Sequence, residues 1–335
     1  MQRAVFVTGG SGYIGSVMVP ALVMADWQVV SFDREFFGRG AFEHPRLTRV
    51  HGDVRDEPAL GAALRSRPFD AVIHLAAVSN DPGSDIDPEL TRQINGLACA
   101  NVMRLAKRAG IKRFLYASSA SVYGIKTEPD VNESLALEPL TLYAKYKAEG
   151  EAVLRSLVSD DFVGVSVRSA TVCGPSPRLR LDLTINILTH QAITKRKLTV
   201  FGGTQLRPNV HVADLADFYL ALLTAPAAAV NGEAFNVSFS NASVRELADQ
   251  VVRCVDPTIP IEVTPSNDLR SYSLTAARAQ RVLGFTPRRT VTDAILELTA
   301  EYRAGRVPEP DAPKYRNVEW MRLHLPEWTR VESRG

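Results

Sequence analysis

The chain has 335 residues, of which 39 are basic, 37 acidic and 45% hydrophobic, and this length suits one large α/β domain, alone or with a smaller lobe. The formal net charge of +2 provides no field that would favour nucleic acid or a membrane surface as a partner. The three cysteines form no CxxC pair, which is typical of a reducing compartment and indicates no structural metal site.

Up to about residue 170, short β-branched runs alternate with longer segments of helical periodicity. Strands are predicted at 3–8, 27–32, 47–51, 70–75, 112–117 and 162–167, and helices at 13–25, 57–66, 88–109 and 141–158. This alternation predicts an α/β fold with a Rossmann-type, doubly wound parallel sheet covered by helices on both faces. Ligands are expected outside the carboxyl ends of its strands.

The pattern changes after residue 172, where Gly174-Pro-Ser-Pro177 interrupts the chain. Helices are then predicted near 183–195, 212–225, 243–254, 276–283 and 290–303, with short strands between them. They predict a smaller mixed α/β substrate-binding lobe over 173–310, next to a dinucleotide-binding domain at 1–172. Prolines after Val307 indicate that 311–335 is an extended surface tail, disordered in its last residues.

The beginning of the chain bears on where the protein works. Residues 4–7 already form a strand-length apolar run, with no cleavage region of a signal peptide before it. No apolar run in the sequence approaches the length of a membrane span. The sequence therefore predicts a cytoplasmic protein without a membrane or nucleic-acid partner.

A glycine-rich segment, Thr-Gly-Gly-Ser-Gly-Tyr-Ile-Gly at 8–15, joins the first strand to the first helix. Glycine suits such a loop because the turn is tight, a diphosphate must approach bare backbone, and the helix must pack close to the strand. The helix N-terminus adds unpaired N–H groups for the phosphates. A glycine turn alone is weak evidence, but its place between a strand and a helix favours a dinucleotide site.

Two acidic residues predict the adenosine end of that site. Asp33 ends the second predicted strand, where a carboxylate accepts hydrogen bonds from the ribose hydroxyls and repels a 2′-phosphate. This favours NAD over NADP, although Arg34 beside it could pair with the extra phosphate. Asp53 follows the third strand and is interpreted as a partner of the adenine amino group. A solvated, helix-capping turn is the alternative for Asp53.

Three further side chains indicate redox chemistry. Tyr143 and Lys147 are four residues apart and therefore lie on one face of the predicted helix 141–158. An ordinary amphipathic surface helix would explain that spacing equally well. The position of this helix distinguishes the two interpretations, because it follows the strand that leads into Ser119 and the segment 116–124.

Taken as a set, these motifs resemble the extended short-chain dehydrogenase/reductases of the nucleotide-sugar epimerase/dehydratase group, over nearly the whole chain. The residues that carry the resemblance are Thr8 to Gly15, Asp33, Gly52-Asp53, His74 to Ala77, Ser118 to Gly124, Tyr143, Lys147, Arg168, Gly174-Pro175 and Arg207 to Asp214. As a set they are highly specific for that group.

The resemblance implies NAD as the cofactor and a nucleotide-diphosphate sugar as the substrate. Tyr143 would act as the acid/base on a sugar hydroxyl, and Ser119 would hydrogen-bond the same oxygen. Lys147 and an oxidised nicotinamide would both lower the pKa of the phenol. The family also implies a homodimer through helices 88–109 and 141–158.

Motifs and resemblance together assign the site residues. The catalytic residues are Ser119, Tyr143 and Lys147. The cofactor contacts are Gly9, Gly12, Tyr13, Ile14, Gly15, Asp33, Arg34, Asp53, Val54, Leu75, Ala76, Ala77, Asn95, Tyr143 and Lys147. The substrate contacts are Ser79, Ser119, Ser121, Thr171, Arg178, Asn186, Arg207 and Arg270.

The two positions after Ser119 bear on the reaction. Sugar 4,6-dehydratases of the family carry Asp-Glu there, decarboxylases keep the glutamate, and 3,5-epimerases place a cysteine at the second position. Here Ala120 and Ser121 stand instead, which favours a 4-epimerase that oxidises C4 and returns the hydride to the other face. A 4-ketoreductase or dehydratase of the same family, and a non-catalytic dinucleotide-sensing protein, are the alternatives.

The chain departs from common family members at Thr171, Cys173, Thr275 and the loop 78–82. Because the resemblance places these positions near the sugar and its diphosphate, the sugar and the base stay open. Arg178 and Arg180 are equally well interpreted as solvated loop charges, and Asn186 as a polar residue on an exposed helix face.

Overall fold

The computed structural model describes residues 3–265 and 271–331. Its strands are β1 (Ala4–Thr8), β2 (Gln28–Asp33), β3 (Leu47–His51), β4 (Ala71–His74), β5 (Arg113–Ser119), β6 (Val163–Ser169), β7 (Thr171–Cys173), β8 (Leu198–Phe201), β9 (Leu206–His211), β10 (Ala234–Val237), β11 (Ser240–Ser243) and β12 (Ile261–Thr264). Its helices are α1 (Gly15–Met24), α2 (Glu57–Leu64), α3 (Asp81–Ser84), α4 (Pro88–Thr91), α5 (Cys99–Arg108), α6 (Leu142–Leu157), α7 (Thr184–Thr194), α8 (Val212–Thr224), α9 (Ala227–Val230), α10 (Val244–Val255), α11 (Ala277–Leu283), α12 (Val291–Arg303) and α13 (Asn317–Thr329).

Within those ranges, seven parallel strands form one sheet in the order β10-β6-β5-β4-β1-β2-β3. The chain starts at the centre and winds outward in both directions, so the predicted doubly wound Rossmann-type fold is confirmed. Helices make the crossovers from β1 to β2, β3 to β4, β4 to β5 and β5 to β6, whereas residues 34–46 join β2 to β3 without a helix. The carboxyl ends of β1 to β5 consequently meet along one edge.

The sheet is buried on both faces, and β1 shows why. All five of its residues are buried, and successive side chains of a strand point to opposite faces. Val5 and Val7 join a core that includes side chains of α1 and α8. Phe6 joins the opposite core with side chains of α2 and α5. The continuous apolar run in the sequence is therefore typical of a strand covered on both sides.

The second half of the chain builds a smaller lobe, as predicted. It contains the sheets β11-β9-β7 and β12-β8 and a core between α7, α10 and α12. The predicted boundary at residue 172 is nevertheless not a clean division. Strand β10 pairs with β6 at the edge of the large sheet, and α8 packs against α1. The chain thus returns to the first domain after entering the lobe.

The prediction of an extended tail is wrong for the described part of 311–335. A short 3-10 turn at Pro313–Tyr315 leads into α13, which spans 13 residues and is kinked at His324, where φ and ψ are not helical. Met321 and Trp328 of α13 are buried in the same core as Phe6. The prolines end the preceding segment, but the apolar side chains beyond them give the chain a face to bury.

The predicted helix 88–109 is present, but its helix type changes along its length. It consists of α4, a π-helical turn at Arg92–Ala98, and α5. No helix in the described ranges is long and apolar enough to cross a membrane.

Candidate active site

One cleft lies outside the carboxyl ends of β1 to β5 and is closed on the other side by the lobe and by α13. Its volume of about 420 Å³ falls in the range of small-molecule and cofactor sites. Ser119, Tyr143, Thr171, Arg207 and Asn317 are among the residues that line it. The cleft thus brings together residues from both halves of the chain and from its last helix.

The glycine loop fits a dinucleotide diphosphate. Gly9 has a φ of +78°, and a Cβ added there would lie 2.6 Å from the Ala76 nitrogen. A Cβ at Gly15 would lie 2.3 Å from the Gly9 carbonyl oxygen, so both positions require glycine for turn and packing. At Gly12 a Cβ would meet only the Gly9 oxygen, at 3.3 Å. Gly12 lines the cleft, so its bare backbone gives phosphate the close approach that the motif provides.

Asp33 ends β2 as predicted and lines the cleft. Its carboxylate accepts hydrogen bonds from the backbone N–H of Ser11 at 2.9 Å and of Glu35 at 2.6 Å. Burial raises the pKa of Asp33, and these two hydrogen bonds oppose that shift. The carboxylate is therefore fixed between the glycine loop and the segment after β2, where the adenosine ribose is expected.

Asp53 and Arg34 form an ion pair that anchors the end of α13. Arg34 Nη1 donates to Asp53 Oδ2 at 2.9 Å and to the Trp328 carbonyl oxygen at 3.2 Å. Arg55 also binds Asp53 and donates to the carbonyl oxygens of Trp328 and Arg330. Cations at the carbonyl end of a helix are stabilising. Arg34 is thus engaged within the protein, which favours NAD further, and the contact of Asp53 with adenine stays a prediction.

The predicted catalytic side chains meet at the other end of the cleft. Ser119 ends β5, while Tyr143 and Lys147 lie in the first turns of α6, where the N-cap Thr141 accepts a hydrogen bond from the Ala144 N–H. Lys147 Nζ donates to the Ala117 carbonyl oxygen at 2.6 Å and lies 5.6 Å from the centroid of the Tyr143 ring. The three side chains all line the cleft, so the structure places the predicted residues together, while their catalytic roles stay a prediction.

Burial sets the protonation of this group. It raises the pKa of Tyr143 to about 12, with a further rise from the Asp81 carboxylate and an opposing effect of the hydrogen bond with Ser119. Burial also lowers the pKa of Lys147 to about 8. The protein groups alone therefore keep Tyr143 a neutral phenol. Among the protein's cations, Arg180 is the one that lowers this pKa. The lowering by Lys147 stays a prediction, and the positive charge of an oxidised nicotinamide would have to favour the phenolate.

A buried polar network fixes α6 against the sheet. Arg168 of β6 pairs with Glu151 of α6 at 2.7 Å. Ser118 of β5 donates to the same carboxylate, and Arg168 also donates to the Tyr123 hydroxyl at 2.8 Å. Removing one partner would leave a buried charge unpaired, which is strongly destabilising. The network therefore holds the helix of Tyr143 and Lys147 in register with the strand of Ser119.

Most of the predicted contacts line the cleft. These are Gly9, Gly12, Tyr13, Ile14, Gly15, Asp33, Arg34, Asp53, Val54, Leu75, Ala76, Ala77, Ser79, Ser119, Ser121, Tyr143, Lys147, Thr171, Arg178 and Arg207. Arg270 lies outside the described residues.

Two predicted contacts have structural roles instead. Asn186 is fully buried. Its Oδ1 accepts from the Gly174 N–H, and its Nδ2 donates to the Tyr13 hydroxyl. It therefore lies on no exposed helix face, and its amide is engaged within the protein rather than directed at a substrate. Asn95 exchanges two hydrogen bonds with the backbone of Val78. Its predicted cofactor contact is therefore replaced by support of the loop after β4.

Arg178 lies beside the glycine loop rather than among solvated loop charges. Its backbone N–H donates to Ser16 Oγ in the first turn of α1 at 3.3 Å. Its guanidinium carbon lies 3.6 Å from the centroid of the Phe37 ring, and Nη2 donates to Asn317 Oδ1. The side chain is 8% exposed. Its predicted substrate contact stays a prediction, and its surroundings belong to the cofactor end of the cleft.

Several lining residues were not predicted from the sequence, namely Phe36, Phe37, Asp81, Asn317 and Trp328. Asp81 lies in the loop 78–82, whose departure from the family pattern marked it as unusual. The others come from the segment after β2 and from α13, and no motif marks them. The sequence does contain two groups of aromatic residues, Phe36-Phe37 and Trp320 with Trp328. Because large aromatic side chains are usually buried, these groups could have indicated that the two segments pack together.

A model of the NAD dependent epimerase/dehydratase family matches residues 5–238. A UDP-glucose 4-epimerase of Streptococcus mutans is 30% identical over 312 residues, covering 85% of this chain and 92% of that protein. UDP-glucuronic acid decarboxylase 1 of Arabidopsis thaliana is 28% identical over 328 residues, covering 92% and 72%. The structure of DesIV, a dTDP-glucose 4,6-dehydratase from Streptomyces venezuelae with NAD and TYD bound, has a TM-score of 0.81 at 26% identity, covering 92% and 99%. These relatives share the fold but are named for three different reactions.

Proposed function

The chain belongs to the NAD-dependent epimerase/dehydratase family, and from that membership we propose that it is an NAD-dependent nucleotide-sugar 4-epimerase. Its substrate class is a nucleoside diphosphate sugar. The UDP-glucose 4-epimerase of Streptococcus mutans supports the proposal at 30% identity. Because relatives at similar identity are a decarboxylase and a dehydratase, the reaction must be argued from the site.

The observation that carries the proposal is the surroundings of Ser119. Ala120 is 1% exposed and has no polar side chain. Ser121 donates through Oγ to Ser119 Oγ at 3.0 Å. These two positions therefore supply neither a carboxylate for elimination nor a thiol for deprotonation next to a ketone. The hydroxyl, phenol and ammonium of the catalytic set suffice for proton transfer at one carbon.

In this proposal the cleft would hold NAD, whose chemistry would be to accept a hydride from sugar C4 and to donate it again to the opposite face. The glycine loop and the N-terminus of α1 hold the diphosphate, and Asp33 accepts from the ribose. The oxygen of Tyr143 removes the proton of the C4 hydroxyl and later gives it back. Ser119 hydrogen-bonds the same oxygen, while Lys147 contributes a nearby positive charge.

The lobe is proposed to hold the nucleotide diphosphate of the substrate. Arg207 and Thr171 line the cleft on that side, and Arg207 is the second residue of β9, which pairs with β7 and β11. A guanidinium matches phosphate geometry. We also propose a homodimer through the face formed by Arg92–Ala98, α5 and α6, as in the related family.

The reaction is tested with a panel of UDP-, dTDP- and GDP-sugars, and products are read by NMR and mass. We expect a C4 epimer of unchanged mass to form without net consumption of reduced nicotinamide. Stoichiometric consumption would instead show a ketoreductase, and loss of water a dehydratase. Inactivity on the whole panel, with NAD bound, would favour the dinucleotide-sensing alternative.

The role of Tyr143 is tested by Tyr143→Phe, which removes the hydroxyl and keeps the ring. General acid–base groups contribute about 10²–10⁴-fold to rate, so we expect kcat to fall by that factor while NAD stays bound. Tyr146→Phe, on the same helix but partly exposed, is the matched control and should keep activity. If Tyr143→Phe kept most of the activity, the assignment would be wrong.

A further inference from the structure

Arg178 is a buried guanidinium whose hydrogen bonds are incomplete. Nη2 donates to Asn317 Oδ1, whereas Nε and Nη1 are buried without a hydrogen-bond partner among the described residues. The side chain is 8% exposed and lines the cleft. A buried, unsatisfied guanidinium is costly, so its persistence indicates a ligand that supplies the missing acceptors.

No carboxylate of the described residues directly contacts the guanidinium of Arg178. Asp182 is the carboxylate with the largest effect on the pKa of Arg178. It is already bound by Arg180 through two hydrogen bonds of 2.8 and 3.1 Å. Arg180 itself is a like charge that, after burial, lowers the pKa of Arg178. The local balance of cations therefore favours an anion at this point of the cleft.

The position of the Arg178 side chain in the cleft indicates which anion it would bind. Its backbone is bonded to Ser16 in the first turn of α1, directly after the glycine loop. Its guanidinium stacks on Phe37, which follows Asp33 and β2. The side chain thus extends from the N-terminal end of α1 toward the end of β2, along the mouth of the loop that fits a diphosphate. The Arg207 side of the cleft, where the sugar nucleotide is proposed to lie, belongs to another element.

Asn317 fixes this arrangement from the opposite side. It begins α13 and is 4% exposed. Its Oδ1 accepts from Arg178 and its Nδ2 donates to Ser79 Oγ at 2.8 Å. Its backbone N–H is bonded to Asp182 at 3.0 Å. Arg178, Asn317 and Ser79, here called the clasp, connect the lobe, α13 and the loop after β4 across the cleft.

We propose that Arg178 is a ligand of the diphosphate of NAD, and that the clasp retains the cofactor between turnovers. The inference rests on NAD as the cofactor of the proposed function, but not on which sugar reaction follows. Because the clasp crosses the cleft, it must open before NAD can leave. Arg178→Met should therefore remove a charge-assisted hydrogen bond to the cofactor and one obstacle to its release.

The test uses the purified holoenzyme and measures the rate at which bound NAD exchanges with labelled NAD. Loss of a charge-assisted hydrogen bond predicts release about 10- to 100-fold faster in Arg178→Met. Arg306→Met, which removes an exposed arginine paired with Glu301, is the control and should exchange like the wild type. Release from Arg178→Met at the wild-type rate would overturn the proposal.

Two further measurements separate a ligand from a structural residue and from a substrate contact. Removing an uncompensated buried charge should raise the melting temperature of the NAD-free protein, by roughly 2 °C, whereas loss of a structural contact would lower it. Affinity for UDP alone should stay unchanged in Arg178→Met. A weaker UDP affinity with unchanged NAD release would assign Arg178 to the substrate and overturn the inference.

Asn317→Ala keeps the inference testable if Arg178→Met does not fold. The Asn317 side chain positions Arg178 but carries no charge, so its loss should weaken the hold on NAD less than loss of Arg178 does. We expect NAD release about threefold to tenfold faster than in the wild type. Unchanged release in this variant would count against the clasp. A wild-type protein that binds NAD but epimerises no sugar would refute the proposed reaction and leave this inference intact.

Discussion

At the scale of single residues, the pKa of Tyr143, the proposed acid/base, depends on burial and on neighbours other than Lys147. Burial raises the pKa of Tyr143 to about 12, and the Asp81 carboxylate adds to the rise. Asp81 accepts a hydrogen bond from Thr141, the residue that caps α6. The acidic side chain is thus fixed near the phenol by the residue that caps α6.

This arrangement predicts the pH dependence of turnover. In Asp81→Asn the negative charge disappears, so phenolate becomes easier to form and the pKa of Tyr143 falls. The acidic limb of the kcat–pH profile should then move to lower pH by about half a unit to one unit. Asn keeps an oxygen that can accept from Thr141. Asp85→Asn, on the exposed side of the same loop, should leave the profile unchanged, and a limb that stays in place or rises in Asp81→Asn would contradict the prediction.

A sequence motif predicts the residues of the cleft well where the backbone geometry permits only one or two residue types. The glycines at 9, 12 and 15 and the carboxylate at 33 are examples, because a tight turn and a strand end leave few choices. Asn186 and Asn95 show the limit. An amide can satisfy a buried backbone as readily as a ligand, and only the folded surroundings distinguish the two.

At the scale of elements, α13 changes the description of the cleft. Trp328 is 4% exposed and stacks on Phe36 with ring centroids 4.1 Å apart and 12° between planes. Trp320 donates through its indole N–H to the Phe36 carbonyl oxygen at 2.8 Å. The last helix is therefore a wall of the cofactor site, held at its end by Arg34 and Arg55.

Trp328→Ala tests how much that wall contributes. Truncating a buried tryptophan costs about 3–5 kcal/mol, so we expect the free energy of unfolding in urea to fall by that amount. Leu323→Ala changes a residue of the same helix that is 63% exposed, and should have an effect below about 0.5 kcal/mol. Equal effects of the two substitutions would show that α13 does not pack as described.

The elements of the first half could be predicted closely from the sequence. The bounds of β1 to β6 lie within two residues of the prediction, because apolar runs of strand length can bury themselves in few ways. The tail could not, since its prolines suggested an extended chain. Its helical state depends on Phe36 and Phe37, which are distant in sequence, and tertiary packing decides the state of such short helices.

At the scale of the whole molecule, the face proposed for the homodimer carries an exposed apolar residue. Leu97 lies in the π-helical turn Arg92–Ala98 next to α6 and is 51% exposed. Leu97→Arg would place a charge in the interface, so we expect the dimer to dissociate to a monomer in multi-angle light scattering. Leu296→Arg, at a leucine of α12 that is 49% exposed, should leave the mass unchanged. A wild-type monomer would refute the dimer.

The overall architecture could be predicted except for the path of the chain between its two halves. Residues 234–237, Ala-Phe-Asn-Val, form a short and mostly apolar segment, but nothing local to it reveals whether its strand partner lies in the lobe or in the large sheet. Register with β6 depends on side chains far apart in sequence. The predicted domain boundary at 172 was based on a change in composition, whereas the actual division between the two parts is determined by the pairing of β10 with β6.

The late arrival of β10 has a consequence for synthesis of the chain. Translation delivers the N-terminal segment first, so β6 can pair with β5 while its outer edge still waits for residues 234–237. An open strand edge is a template for pairing with another molecule. The interval between the emergence of β6 and the docking of β10 is thus the period in which the nascent chain is most exposed to aggregation, and the period in which a chaperone would protect it most.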